Sequence, residues 1–282
     1  MQYRPEIDGL RALAVIPVIL FHAGFEWFSG GYIGVDIFFV ISGFLITSII
    51  LNELDSENFS FSHFYARRAR RIIPALYLVL FFSIPIPWLI YAPPDMKVYG
   101  QSLAAVTFFS SNMLFYLQSG YFDLSSELKP LLHTWSLAVE EQFYLIFPLL
   151  LLCIWKNARK WLLATLVILM LASLSFSHWS VYADSAGAFY LLPSRIWELL
   201  IGSICAILSI KYRLHEYSRK LNQYLSTVGF TGIILCIFMY DQVTPFPGLY
   251  ALVPTLCTAL IILFATQATT TYSLLSTRFF VS

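Results

Sequence analysis

The sequence predicts an all-α integral membrane protein, a polytopic helical bundle of about eight or nine transmembrane segments with one of them re-entrant. Three observations carry that expectation. Of 282 residues, 59% are hydrophobic and only 12% charged, whereas a soluble globular chain carries about 25% charged residues. So little polar surface cannot clothe a globule in water, and lipid is the fitting solvent. The apolar residues also fall into long runs, at 10–28, 33–51, 72–91, 136–154, 161–177, 196–210, 224–240 and 249–266, lengths suited to about 30 Å of hydrocarbon. Between the runs lie breaker signals such as Pro93-Pro94-Asp95, Lys156-Asn157-Ala158-Arg159-Lys160 and Pro245-Phe246-Pro247-Gly248, the composition of loops. No internal repeat is evident, so residues 1–282 read as a single membrane domain.

The first run looks at first like a secretion signal, because Arg4 and Arg11 precede the apolar stretch from Ala12 to Phe25. No small-residue cleavage site follows, and the second run begins straight after Gly30-Gly31, so the first run is expected to be retained as a span. The second segment, from Gly30 to Phe44, offers Gly34 and Gly43 as points of close helix approach. It also carries Asp36, a carboxylate near a span that needs a partner, which Arg195 or a histidine can supply. The segment 101–117 is more polar, with Gln101, Ser102, Ser110, Ser111 and Asn112. The four cysteines lie apart inside apolar runs and read as small core residues, not as a disulfide or metal framework.

Orientation follows from the seventeen Lys and Arg residues. With the N-terminus inside and 101–117 spanning, eight lie inside and nine outside, which is no bias. If 101–117 instead enters and returns on the outer side, only Lys97, Lys129 and Arg195 stay outside and fourteen lie inside. The second arrangement is preferred, and a re-entrant backbone is tolerable where protein covers it. It places Asp8, Arg11 and Arg67–Arg71 at the inner face. His22, Asp36, His133, Glu140, Arg195 and Glu198 fall in or above the outer half.

Four segments carry candidate chemistry. Arg11 and His22 are eleven residues apart on one helix, roughly 16 Å and about three turns, so they share a face. An ionisable group inside the membrane is a functional candidate, and the competing reading is an interfacial pair that snorkels to headgroups. Arg67, Arg68, Arg70 and Arg71 offer guanidinium forks for phosphate, or a topology anchor on anionic lipid. His133 and Glu140, seven apart, share a helix face, whereas the adjacent Glu140 and Glu141 cannot both face one site. Arg195 and Glu198, three apart, suit a polar site or a simple intrahelical ion pair. The net charge of +1 makes no case for a nucleic-acid partner.

Taken together, the Tyr3-Arg4-Pro5-Glu6-Ile7-Asp8-Gly9-Leu10-Arg11-Ala12 start, the glycine-rich second segment, the arginine cluster, His133 to Tyr144 and Arg195 to Glu198 resemble the acyltransferase-3 family of membrane O-acyltransferases, which includes bacterial O-antigen acetylases. Arg11 and His22 meet the family's arginine–ten residues–histidine pattern, and Arg67, Arg68 and Arg71 its Arg-Arg-two residues-Arg pattern. The resemblance implies acetyl-CoA or another acyl-CoA as donor substrate, no metal, a surface carbohydrate acceptor such as lipopolysaccharide O-antigen, and a multi-pass protein of the bacterial cytoplasmic (inner) membrane. The family ordinarily continues with at least one more helix carrying a Ser-Tyr and Tyr-Leu-Trp-His type motif, so the sequence is expected to be either a piece of a longer chain or a short member, and its N-terminal wording also resembles members that carry an SGNH hydrolase-like domain at their C-terminus.

Under this expectation Arg67, Arg68, Arg71 and Arg11 bind the donor phosphates at the inner face, and the acyl-pantetheine arm reaches toward His22. His22 acts as general base or transient acyl carrier, with Glu140, or as an alternative Asp36, orienting it or the acceptor from the outer side. Asp36, His133, Arg195 and Glu198 are expected to bind substrate from the outer side. A rival from another class is a proton-coupled transporter or flippase without covalent chemistry, since carriers also place ionisable groups at two depths. An inert scaffold fragment is the third reading.

Overall fold

The computed structural model describes residues 3–119, 129–212, 218–241 and 243–281, and every regular element in them is helical. The long helices are α1 (Pro5–His22), α2 (Gly34–Asp55) and α3 (Phe61–Ser83). The short helices α4 (Pro85–Ile90), α5 (Pro93–Thr107) and α6 (Ser111–Leu117) come next, before α7 (Thr134–Ala158) and α8 (Leu162–Ala183). Then follow α9 (Ser185–Tyr190), α10 (Leu192–Tyr212), α11 (Arg219–Met239), α12 (Leu252–Phe264), α13 (Thr270–Leu275) and α14 (Arg278–Val281). Two compact units emerge: Met1–Ile49 with Ile146–Ser282, and Ile50–Leu145.

In the first unit the core gathers Leu10, Ile37, Val40, Trp197, Ile233 and Ile261. α2 is apolar on all sides and is correspondingly buried. It meets α10 through two glycines, because a Cβ on Gly43 would collide with the Leu199 carbonyl and one on Gly202 with the Val40 carbonyl. α8 is pinned to α10 by Ser173, whose hydroxyl donates to the Pro193 carbonyl at 2.7 Å and accepts from the Trp197 amide at 3.2 Å. α1 packs on the turn Gly31–Ile33 and on α13 and α14.

In the second unit α3 buries Phe64, Leu76 and Leu80 and turns Tyr77, Leu78, Phe81 and Phe82 outward. An outward apolar face of that kind fits a lipid-facing surface. Among the described residues five stretches are long and apolar enough to cross a membrane: Gly31–Asp55, Phe61–Ile90, Thr134–Ala183, Ser185–Tyr212 and Arg219–Met239. Thr134–Ala183 holds two of the expected runs, joined by the turn Arg159–Trp161. α1 carries Glu6, Asp8 and Arg11 in its first turns, and α12 is shorter than a full span.

The segment 101–117 is not one helix. The chain breaks after α5, with Phe109 at φ 52°, and restarts as α6. Gln142 of α7 holds the break, donating to the Phe109 carbonyl at 3.0 Å and to the Asn112 side-chain oxygen at 2.8 Å. Cys205, Cys236 and Cys257 are buried as core residues, while Cys153 is exposed. Arg213, counted in the orientation argument, and residues 120–128 of the expected outer loop lie outside the described residues.

Candidate active site

His22 is the last residue of α1, and the helix runs unbroken from Arg11 to it through a buried Pro17. Its Nδ1 sits 2.8 Å from the Val18 carbonyl oxygen. A carbonyl only accepts, so the contact calls for a hydrogen on Nδ1, and in the neutral ring Nε2 then presents its lone pair. That is the tautomer a general base or an acyl carrier requires at the outward nitrogen. The ring is exposed, edge-on to Phe21 with centroids 5.1 Å apart. Arg11 makes an ion pair with Asp8 at 3.0 Å, the i,i+3 spacing of neighbours on a helix surface.

Asp36, Arg195 and Glu198 come together in the interior of the same unit. Nη1 of Arg195 donates to Asp36 Oδ1 at 2.9 Å and to Glu198 Oε1 at 2.8 Å, and none of the three side chains exceeds 1% exposure. The guanidinium carbon lies 5.6 Å from the Phe39 ring, 5.5 Å from Phe189 and 5.7 Å from Phe246, distances at which aromatic faces stabilise a cation. The sequence left Asp36 a choice of partner between Arg195 and a histidine, and the structure selects Arg195. It also buries all three side chains, which hold one another.

The second unit separates the arginines by role. Arg67 is paired with Glu53 at 2.5 Å. Arg68 lies over the Phe64 and Tyr144 rings, and Tyr144 donates its hydroxyl to Glu140 Oε2 at 2.9 Å. Arg71 is exposed and lines a cleft of about 340 Å³ with Ile72, Ala75, Leu76, Val79, His133, Thr134 and Leu137. Arg71 and His133, assigned to opposite faces by the charge count, therefore share one cleft. The reason is visible along the helices: the arginines sit two to three turns into α3, and α3 runs beside α7 with Tyr65 donating to the Leu145 carbonyl at 2.9 Å. Thr134 is fixed in the cleft wall by hydrogen bonds with Ser111.

Several of these groups were not singled out from sequence. Glu53, Tyr144 and Gln142 became visible only through their partners, although Gln142 follows Glu140 and Glu141 inside an apolar run and stands out there as a third polar residue. Among the described residues no group of three His, Cys, Asp or Glu side chains is placed to hold a metal ion.

Comparison with known proteins bears on the family. A family profile described as an acyltransferase domain matches residues 4–280. The chain is 36% identical to the Listeria monocytogenes peptidoglycan O-acetyltransferase OatA over 245 residues, 85% of this chain and 39% of that protein. It is 36% identical to YrhL of Bacillus subtilis over 257 residues, 87% of this chain and 40% of that one. A Haemophilus influenzae protein is 37% identical over 235 residues, 80% of this chain and 96% of its own length. The chain thus spans about two fifths of the length of the first two relatives. No solved structure matches it. A profile match over almost the whole chain, on a helical frame with membrane-length apolar segments, is decisive: the chain belongs to the acyltransferase-3 family of membrane O-acyltransferases.

Proposed function

We propose that this chain transfers an acetyl group from an acyl-CoA to a hydroxyl of a cell-surface carbohydrate, in the cytoplasmic membrane of a bacterium with its N-terminus inside. The observation that carries the reading is the 2.8 Å contact of His22 Nδ1 with the Val18 carbonyl, which in the neutral ring leaves Nε2 to accept a proton. On the general-base route Nε2 takes the acceptor hydroxyl proton as the oxygen attacks the thioester carbonyl. The carbon–sulfur bond then breaks, and the proton passes to the departing thiolate, leaving an O-acetyl ester and free CoA. On the carrier route Nε2 attacks the thioester carbonyl, the carbon–sulfur bond breaks, and the Nδ1 proton leaves with the thiolate as CoA thiol; the acceptor hydroxyl then attacks the acyl-imidazole, and its proton returns to the ring as the ester forms.

Arg68 and Arg71 are assigned to the phosphates of the donor, with Arg67 available when Glu53 yields it and Arg11 when Asp8 does. His133 is assigned to substrate across the cleft from Arg71, and Glu140 acts through Tyr144 beside Arg68. For the acceptor, the OatA relative is named for peptidoglycan, so glycan-strand hydroxyls join O-antigen sugars as the class to test.

The test is acetyl transfer from labelled acetyl-CoA to a panel of peptidoglycan and O-antigen acceptors, comparing wild type with His22→Ala. Loss of roughly 10²- to 10⁴-fold, the contribution of a positioned acid–base group, with normal membrane insertion is expected. Retention of more than about a tenth of activity removes His22 from the chemistry. Uptake or flipping without any ester product favours the transporter reading.

A further inference from the structure

The buried cluster of Arg195, Asp36 and Glu198 is connected to His22 by a set of contacts within one unit. Phe246 touches both ends of the first link, 5.7 Å from the Arg195 guanidinium carbon and edge-on to Tyr32 with ring centroids 4.9 Å apart. Tyr32 in turn meets Phe21 edge-on at 5.8 Å, and Phe21 meets His22 at 5.1 Å. Tyr32 is itself tied down, donating its hydroxyl to the Asp241 carbonyl at 3.0 Å.

The backbone supplies a second, parallel link. Asp36 stands in the first turn of α2, directly after a stretch that lies flush on the end of α1. A Cβ on Gly31 would collide with the Pro17 carbonyl, and one on Gly34 with the Ala14 carbonyl and the Val18 side chain. Val18 is the residue whose carbonyl holds His22. Whatever fixes Asp36 therefore fixes the surface against which the last turn of α1 is seated. The Gly30 amide, donating to the Ile237 carbonyl at 3.0 Å, and Ser29, donating to the Tyr240 carbonyl at 2.6 Å, fasten the same stretch to α11.

We propose that the Arg195–Asp36–Glu198 cluster is a positioning device for His22, locking the start of α2 and, through Phe246 and Tyr32, the last turn of α1, so that the imidazole keeps Nδ1–H on Val18 and presents Nε2. In this role the three act through His22, as positioning residues. The inference rests on the reading of His22 as the acid–base or carrier group.

The experiment uses the full chain in lipid bilayers, labelled with ¹⁵N-histidine, and reads the His22 tautomer by solid-state NMR, with His22→Gln assigning the signal. Tyr32→Leu removes the ring link while leaving the ion cluster whole, so it tests the coupling without unpairing buried charge. The expected result is a shift of His22 from the Nδ1-protonated to the Nε2-protonated tautomer, together with a fall in kcat of roughly ten- to a hundredfold and a KM for acyl-CoA that does not move. Arg195→Lys, which can serve both carboxylates from one nitrogen as Nη1 does, is expected to hold the tautomer, and Arg195→Gln to lose it. An unchanged tautomer and unchanged kcat in Tyr32→Leu overturn the proposal. Because the tautomer is read without turnover, a wild type that transfers no acetyl yet shows a Tyr32-sensitive His22 overturns the transferase reading and leaves the coupling standing.

Discussion

At the scale of single residues, the arginines of α3 look equivalent in sequence and are not equivalent in space. Successive residues of a helix diverge by about 100°. Arg67 accordingly finds Glu53, Arg68 lies back over Phe64 and Tyr144, and only Arg71 opens on the cleft beside His133. Their contributions to donor binding should divide the same way. Arg71→Ala is expected to weaken CoA binding roughly ten- to a hundredfold, the worth of a charge-assisted hydrogen bond. Arg67→Ala, whose charge is already partly cancelled in an exposed pair, should change it by about threefold or less. Calorimetry with CoA at two salt concentrations checks both, and equal losses from the two variants refute the division.

Much of this site was legible in the sequence and some was not, for a physical reason. The need of Asp36 for a counter-charge follows from its place beside a span. Its partner lies 159 residues away, and no local pattern can choose Arg195 over a histidine at that range. The i,i+3 spacing of Arg195 and Glu198 correctly announces their ion pair. It says nothing of the third member, which turns a surface-type pair into a sealed cluster.

At the scale of elements, hydropathy marks where lipid begins and not where helix begins. The apolar run 72–91 starts eleven residues after α3 does at Phe61, because the arginine-rich turns are helical too and merely polar. Helix contacts are governed by something hydropathy does not score, the bare backbone at glycine. Gly43 and Gly202 let α2 and α10 approach until each meets the other's carbonyl, the close approach that gives lipid-embedded helices their attraction. Gly43→Ala or Gly202→Ala should force the helices apart, costing about 1–3 kcal/mol as overpacking does. The readout is a lower unfolding temperature in detergent. A variant as stable as wild type means that the helices cross elsewhere. The same crossing brings Asp36 to Arg195, so acetyl transfer should fall along with stability.

At the scale of the whole molecule, the distribution of Lys and Arg predicts which loops face which compartment. The charge count places fourteen of the seventeen cationic residues inside when 101–117 does not span, and the break at Phe109 held by Gln142 gives that segment the shape of two short helices. Single cysteines placed at positions 95 and 159, in a chain with its native cysteines replaced, should react with an impermeant reagent from outside at 95 and only after permeabilisation at 159. Labelling of 159 from outside restores 101–117 as a full span.

The 159 residues between Asp36 and Arg195 also have a meaning in time. At about 5–20 residues per second of synthesis, the carboxylate of Asp36 leaves the ribosome roughly 8 to 30 s before its guanidinium exists. Through that interval α2 has entered the bilayer with an acid that nothing in the nascent chain yet answers. The first unit is therefore finished late, by residues made after the whole of the second. Its buried charge cluster is complete only once α10 has been made.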